Sequence, residues 1–489
     1  MRVRRISFPR TRATWTAALC FLFLLSSLVT GFGIGLAGFL FIGTAAWHWR
    51  KAWQALHRDW PALRWVILAF GAYAAWALVL QLLGGPGWYS VEAPLRMLLG
   101  VAALLAVRIS GVDAWPLWRG AWAGTVAAVG LAAWERWGIG LERAGGFMNP
   151  VPFGNLALCL ALLGLAALLD PRMRRHWWWP AAALLAGCAA SLLSGSRGGW
   201  LVLPPAFVLL WTQRRYLPRF LPVGLVLATA VLVVLAWAVP ASGVRARIDV
   251  GLSDLALYME GNPLPTSLSV RLELWKGALM LAREHPFTGI DTVAYKAQLR
   301  SWIALGQLSP AVFAPPEPPH LHNDALQVLV TRGLPGLASW LAVLLVPLYW
   351  FAQRLRRAAT SEQAAPALAG LFVVLAYAMA GLSEAMFWPM KACLFYALLV
   401  FAFMACCLNA AEAPPALAEF PQAPAASPDS RPDGRPSRPR GHAIRCARRH
   451  GRSVHGSPAT ATGRSRWPRR RPAMAGAHDG APPRSGCAG

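Results

Sequence analysis

Apolar runs of about twenty residues, separated by short polar breaks, follow one another from residue 13 to residue 409. Their bounds read 13–29, 31–47, 63–83, 93–109, 114–134, 151–169, 178–194, 199–212, 220–239, 324–352, 365–384 and 390–409. That length matches the ~20 residues an α-helix needs to cross the hydrocarbon core. A lipid-facing backbone must also satisfy its own hydrogen bonds, which a helix does. The pattern predicts an all-α polytopic membrane protein with about 12 transmembrane helices. One interval breaks it: Pro240 to His322, about 80 residues, is a polar loop between spans 9 and 10. Within it Leu268, Leu272, Trp275, Leu279 and Ala282 recur at spacings of four and three, an amphipathic helix that Ser267 or Ser269 would cap and Pro286 would stop.

Composition agrees. Of 489 residues, 56% are hydrophobic and 14% charged, with 25 tryptophans, so a water-soluble fold would lack the polar surface to cover its core. The eight cysteines lie in apolar runs or in the tail and form no C-x-x-C pair, so neither a disulfide framework nor a cysteine metal site is expected.

The net charge of +26 resembles a nucleic-acid signature until it is placed along the chain. With the N-terminus inside, inside connections carry Arg50, Lys51, Arg58, Arg64, Arg108, Arg119, Arg172, Arg174, Arg175, Arg214, Arg215, Arg219, Arg354, Arg356 and Arg357. Short outside loops carry only Arg136, Arg143, Arg197 and Lys391. This imbalance sets both termini in the cytoplasm and the long loop on the other side. The first apolar run lacks an A-x-A cleavage site and a second run follows directly, so it reads as a retained helix rather than a signal peptide. The expected organisation is 1–239 (spans 1–9), 240–322 (external loop with amphipathic helices), 323–409 (spans 10–12) and 410–489 (tail). From Arg431 to Gly489 the tail holds fourteen arginines, two aspartates and no lysine among Pro, Gly, Ser and Ala, a composition that predicts disorder. An altered reading frame in a GC-rich gene would look the same, and no function is read from it.

Four features gather on the external face. Arg197, in "SGSRGG", stands at a tight reversal on the side the charge rule depletes; it reads either as a ligand for anions or as a snorkelling anchor. Arg271 falls in the first turn of the loop helix, where the helix dipole disfavours a cation, and Glu273 faces away from it. "PPHLHND" is held extended by Pro315, Pro316, Pro318 and Pro319; it presents His320 and His322 before a helix capped by Asn323, with Asp324 in its first turn. Gly333, Pro335 and Gly336 then break or bend that helix. The histidines read as proton-exchanging groups, as structural caps, or as metal ligands completed by Glu317 and Asp324; the proline scaffold argues against the last. Glu384 lies at the turn between the last two spans and reads as an interfacial carboxylate or as an outlying member of the site.

Two external arginines and an external histidine on a hydrophobic scaffold suit a lipid-linked diphosphate: guanidinium forks grip the leaving phosphates while the imidazole takes a proton from an incoming hydroxyl. No glycine-rich nucleotide loop and no D-x-D pair is present to hold a soluble donor with a metal.

His322-Asn323 followed by Gly333 and Gly336, with "SGSRGGW" upstream and "RLELWKGAL…HPFTGI" in the loop, resembles the O-antigen ligase and polymerase superfamily of Gram-negative inner membranes, most closely the ligases, over about residues 15–409. The resemblance implies a membrane glycosyltransferase that needs no metal or other cofactor and inverts the anomeric centre. It would move a glycan from undecaprenyl diphosphate onto lipid A–core at the periplasmic face, with no nucleic-acid partner. It further implies His322 as the catalytic residue and Arg197, Arg271, His320 and Asn323 as substrate-binding residues. Leu337 stands where a small polar residue is frequent and Gly289-Ile290-Asp291 where Gly-x-Gly is, departures that bear on the subfamily. An O-antigen polymerase and a pilin O-oligosaccharyltransferase use similar parts, and a secondary transporter is the alternative outside the class. Transporters place ionisable residues at mid-membrane, whereas these spans are almost free of central charge.

Overall fold

The fold is described from a computed structural model covering residues 8–84, 89–217, 244–260, 266–313 and 320–412, with isolated helical positions between 223 and 238. The chain divides into two units, Met1–Ala416 and Leu417–Gly489. The arginine-rich tail lies outside the described residues, as do Pro315, Pro316, Glu317, Pro318, Pro319 and most of the ninth expected run.

Among the described residues every regular element is helical. Before the loop come α1 (Phe8–Ser26), α2 (Gly33–Trp47), α3 (Trp49–Leu82), α4 (Tyr89–Met97), α5 (Gly100–Ser110), α6 (Trp115–Ala133), α7 (Pro150–Ala166), α8 (Trp178–Leu193) and α9 (Leu203–Thr212). The loop supplies α10 (Val244–Met259), α11 (Ser267–Glu284) and α12 (Thr292–Ala304); then follow α13 (Asp324–Arg357), α14 (Ser361–Ala380) and α15 (Met390–Glu412). Six described segments are long and apolar enough to cross a membrane: Trp49–Leu82, Ser90–Ser110, Pro150–Leu169, Asp324–Arg357, Ser361–Ala380 and Met390–Glu412. Shorter apolar helices occupy Thr11–Ser26, Gly33–Trp47, Trp178–Leu193 and Gly198–Thr212. The described residues are therefore all helical, and their apolar helices make the protein a polytopic membrane protein.

Burial sorts these helices into layers. The spanning windows of α7 and α15 are 94% buried, against 39% in α3 and 33% in α13, so α7 and α15 form the centre and the long helices its rim. α15 can be apolar on every side because neighbours cover every side.

The loop has a core of its own. Leu274, Ala278 and Leu281 of α11 pack with Tyr295, Leu299 and Trp302 of α12 and with Leu308, Val312 and Leu321. This corrects the expected stripe on α11. Leu279 is exposed and the buried face runs through Glu273, Leu274, Gly277 and Ala278, because the small side chains there let α12 approach closely. The helix is capped by Thr266, whose hydroxyl accepts from the Ser269 N–H, one residue before the expected serine.

α13 consists of two helices joined at Gly333 (φ 65°, ψ −170°). The loop segment between α11 and α12 meets the break. Leu334 N–H donates to Pro286 O and Ile290 N–H to Val330 O, both at 2.7 Å, so backbone groups freed by the break regain partners. A side chain at 333 would place its Cβ 2.2 Å from Phe287 O, so only glycine fits.

Candidate functional site

Three short segments converge at one end of the bundle: the strap 320–323 before α13, the turn 381–389 between α14 and α15, and the reversal 194–199 after α8. The first turns of α11 cover the strap.

The strap is tightly held. Asn323 caps α13, accepting from Leu326 N–H at 3.0 Å, and its amide donates to Leu382 O at 3.2 Å. Asp324 N–H donates to Gly381 O and the Asp324 carboxylate accepts from Phe387 N–H, which join the strap to the turn. Trp275 of α11 donates its indole N–H to Leu321 O at 2.9 Å, and Gln327 accepts from Leu321 N–H at 2.9 Å. These bonds enforce a left-handed backbone at His322 (φ 50°), which among the described residues is the sole non-glycine with positive φ. Such a conformation costs about 1–3 kcal/mol and persists only where its surroundings dictate it.

Both histidines converge on Glu384, which is 2% exposed. His320 Nε2 lies 2.9 Å from one carboxylate oxygen and His322 Nδ1 lies 3.2 Å from the other. The tautomers follow from the bonds. His320 Nδ1 accepts from His322 N–H at 3.2 Å, so the proton of neutral His320 sits on Nε2 and points at Glu384. His322 gives its Nδ1 proton to the same carboxylate, which leaves Nε2 as the basic nitrogen, directed away from Glu384. Burial alone would raise the Glu384 pKa, but the hydrogen bonds from His320 and His322 outweigh it and hold the carboxyl at about 2. A fixed anion behind an imidazole orients the ring and sets its tautomer, as in catalytic carboxylate–histidine pairs.

Arg271 is half-buried on α11, one turn before Trp275, and among the described residues makes no hydrogen bond or ion pair. Burial lowers its pKa while the charge of Glu384 opposes the shift, which places the guanidinium within electrostatic reach of the carboxylate. Arg197 arrives by close packing. A Cβ at Gly198 would meet Ser383 Oγ at 1.8 Å, so the Arg197–Gly198 backbone lies directly against the turn carrying Glu384. Ser196 donates to Asn155 Oδ1 of α7 at 2.8 Å, and Arg143 Nε donates to Ser194 O at 2.9 Å; both brace the reversal.

Arg271, His320, His322 and Asn323 thus share one neighbourhood with the Arg197 reversal, and Glu384 is the residue that sequence reasoning underrated. One clue was available: it is the lone acidic residue between Glu362 and Glu412, in an otherwise apolar stretch. Of the metal set considered from sequence, Glu317 lies outside the described residues and the Asp324 carboxylate accepts from Phe387 N–H. His320, His322 and Glu384 do place one donor atom each within 4.8 Å of one another. Those atoms already bond to each other, so an ion would have to displace the histidine–carboxylate bonds.

A histidine–carboxylate pair thus stands on a polytopic helical scaffold, with Arg271 and the Arg197 reversal beside it. Residues 181–341, about a third of the chain, match the protein-family model described as O-antigen ligase, so the chain carries a domain of that family, which supports a membrane enzyme of the O-antigen ligase and polymerase type. The matched span holds Arg197, Arg271, His320, His322 and Asn323, and ends before Glu384. The chain is also similar to an uncharacterized protein of Haemophilus influenzae, 23% identical over 294 residues that make up 59% of this chain and 73% of that one.

Proposed function

We propose that the protein is an O-antigen ligase of the bacterial inner membrane. It would transfer a glycan from undecaprenyl diphosphate to lipid A–core at the periplasmic face, with both termini cytoplasmic and the 240–322 loop periplasmic. The observation that carries this reading is the His322–Glu384 pair with its basic Nε2 unengaged, beside an unpaired Arg271. In the reaction His322 Nε2 takes the proton of the acceptor hydroxyl, whose oxygen bonds to the anomeric carbon from the face opposite the diphosphate. The carbon–oxygen bond to the diphosphate breaks, and the leaving group departs with the electron pair between Arg271 and Arg197. His320 and Asn323 act behind this layer: His320 fixes the Glu384 carboxylate and Asn323 fixes the strap. The chemistry requires no metal, and chelation should leave the rate unchanged.

The test is the lipopolysaccharide of a strain lacking the gene, complemented or not. A ligase predicts core without long chains and accumulated lipid-linked polymer. Accumulation of single lipid-linked repeats would instead identify a polymerase, and unaltered lipopolysaccharide with unglycosylated pilin a protein glycosyltransferase.

A further inference from the structure

The first three turns of α3 present a surface unlike the rest of that helix. Ala52, Ala55 and Asp59, at spacings of three and four, are buried against the bundle. Trp49, Trp53 and Trp60 form the neighbouring sector and are 62%, 59% and 40% exposed. Arg50, Lys51, Gln54 and His57 fill the sector beyond, all of them exposed. At about 100° per residue the three sectors follow one another around the helix: bundle, then indoles, then polar and cationic groups. Farther along α3 the outward side chains are apolar, among them Leu68, Ala72, Ala75 and Val79. Arg50 lies over the Trp49 ring at 5.6 Å, and neither Arg50 nor Lys51 makes an ion pair among the described residues. Asp59, the carboxylate nearest to them along the chain, is taken by Arg108 and Arg58.

The depth of this segment follows from cross-links at the same end of the bundle. The Trp15 indole of α1 donates to Thr44 of α2 at 3.1 Å, and the adjoining Thr16 hydroxyl meets Ser110 of α5 at 2.8 Å. Arg108 of α5 donates to Asp59 of α3 and to Asn409 of α15, both at 2.7 Å. Thr44, Ser110, Asp59 and Asn409 therefore lie near one level, where the apolar runs ending at 47, 109 and 409 also stop. Trp49 follows Thr44 by five residues and rises no more than about 8 Å beyond that level. Ten residues later, at Asp59, the chain is back at it. A headgroup layer is about 5–8 Å deep on each side of the hydrocarbon. The segment is thus confined to that layer and does not project into water.

We propose that Trp49–Trp60 is a binding surface for anionic phospholipid, with Arg50 and Lys51 on the headgroup phosphate and the indoles of Trp49, Trp53 and Trp60 among the glycerol esters beneath it. The order of the sectors is that of a helix lying in the interface: one side on protein, one on lipid, one on water. A nucleic acid or an acidic protein would arrive from the water and cover the polar sector alone, leaving the indoles bare. A zwitterionic headgroup would suit the indoles but carries its own cation to each phosphate, which leaves Arg50 and Lys51 without a counter-charge. The surface lies at the end of α15 opposite the histidine–carboxylate site, so it stands independently of the reaction proposed above.

The experiment titrates the detergent-solubilised full-length protein with phosphatidylglycerol or phosphatidylethanolamine of the same acyl chains and counts bound lipid by native mass spectrometry. The wild type should bind phosphatidylglycerol at least about tenfold more tightly. Each cation near an anionic headgroup is worth about fivefold in affinity, so Arg50→Gln combined with Lys51→Gln should remove the preference. If that pair fails to insert, Arg50→Gln alone carries the test, with about a fivefold loss. Trp49→Leu with Trp53→Leu should weaken both lipids alike and leave their ratio standing. Arg356→Gln with Arg357→Gln, also exposed and on the last turn of α13, is the control and should keep the preference. Equal loss in that control would mean diffuse attraction to a basic end and would overturn the site, as would a preference that survives the Arg50 and Lys51 changes. Displacement of the lipid by chain-free glycerol phosphate would show a soluble-anion site instead. A wild-type dimer that the tryptophan changes dissolve would show the face covered by a second copy, and either result overturns the lipid assignment.

Discussion

The two ends of α15 each carry a buried charge cluster, about 34 Å apart at 1.5 Å per residue over its 23 residues. At the C-terminal end Arg108 is 4% exposed and fully engaged. It donates to Asp59 at 2.7 Å, to Asn409 at 2.7 Å and to Glu412. Asn409 in turn donates to Val107 O and Val112 O. At the N-terminal end Glu384 receives two imidazoles, yet Arg271 and His322 Nε2 stay unpaired among the described residues. Burial is similar; saturation is not. A saturated cluster fixes three helices to one another and has nothing left to offer a substrate, while an unsaturated one keeps its binding capacity at the expense of stability. The count of open donors and acceptors, not the presence of charge, separates the two.

Substitutions should divide along that line. His322→Ala is expected to lower transfer about 10³-fold, within the range for loss of a general base, at normal membrane abundance. A stably inserted variant that retains a tenth of the activity would put the base elsewhere. Glu384→Gln, which keeps the shape and removes the charge, should cost about 10²-fold. Arg197→Lys and Arg271→Lys follow at about 10–100-fold, chiefly in donor KM, because a point charge cannot replace the planar fork; complementation by either lysine would contradict that role. Arg108→Ala should do the reverse. It takes from buried Asp59 its shortest arginine contact, leaving only the more exposed Arg58, and should destabilise the protein by about 2–3 kcal/mol, lowering abundance and the thermal midpoint while activity per folded molecule is retained.

The helices were legible because the bilayer permits few alternatives: apolar runs of spanning length had to be helices. Two details were not. The periodicity of α11 favours a stripe of large apolar residues, whereas the tertiary contact uses the smallness of Gly277 and Ala278. Glu384 reads alone like any interfacial carboxylate, and its partners His322 and His320 lie 62 and 64 residues away along the chain. Arg197, Arg271 and His322 were visible because each breaks a local rule: a cation on the depleted face, a cation at a helix start, an imidazole at a capped N-terminus.

The depressed pKa of Glu384 gives the comparison a pH signature. Its folded value, about 2, lies below its ordinary 4.5, so the folded state binds this proton more weakly than the unfolded chain. The resulting stabilisation is complete above pH 4.5 and drains away as pH falls towards 2, in total on the order of 3 kcal/mol. Unfolding midpoints of the detergent-solubilised protein from pH 6 to pH 3 should therefore fall more steeply for the wild type than for Glu384→Gln. Parallel curves would mean that the imidazoles do not hold the carboxylate in solution.

The smallest expected effect is the most discriminating about the strap. Trp275→Phe preserves the ring against the loop core and removes only the indole hydrogen bond to Leu321 O, worth about 1 kcal/mol of stability. The loop should stay folded, since Trp275 is only partly buried and the α11–α12 core does not depend on that bond. What changes is the restraint on a backbone carrying positive φ at His322: with one pin gone, the left-handed conformation competes with relaxed ones and the imidazole spends less time on Glu384. Transfer should fall several-fold through kcat, with the acceptor KM little altered, and hydrogen exchange at the strap amides should quicken while that of α12 does not. Equal quickening in both segments would mean that Trp275 serves the loop core alone, and that the strain at His322 is held by Asn323 and Gln327 without help from α11.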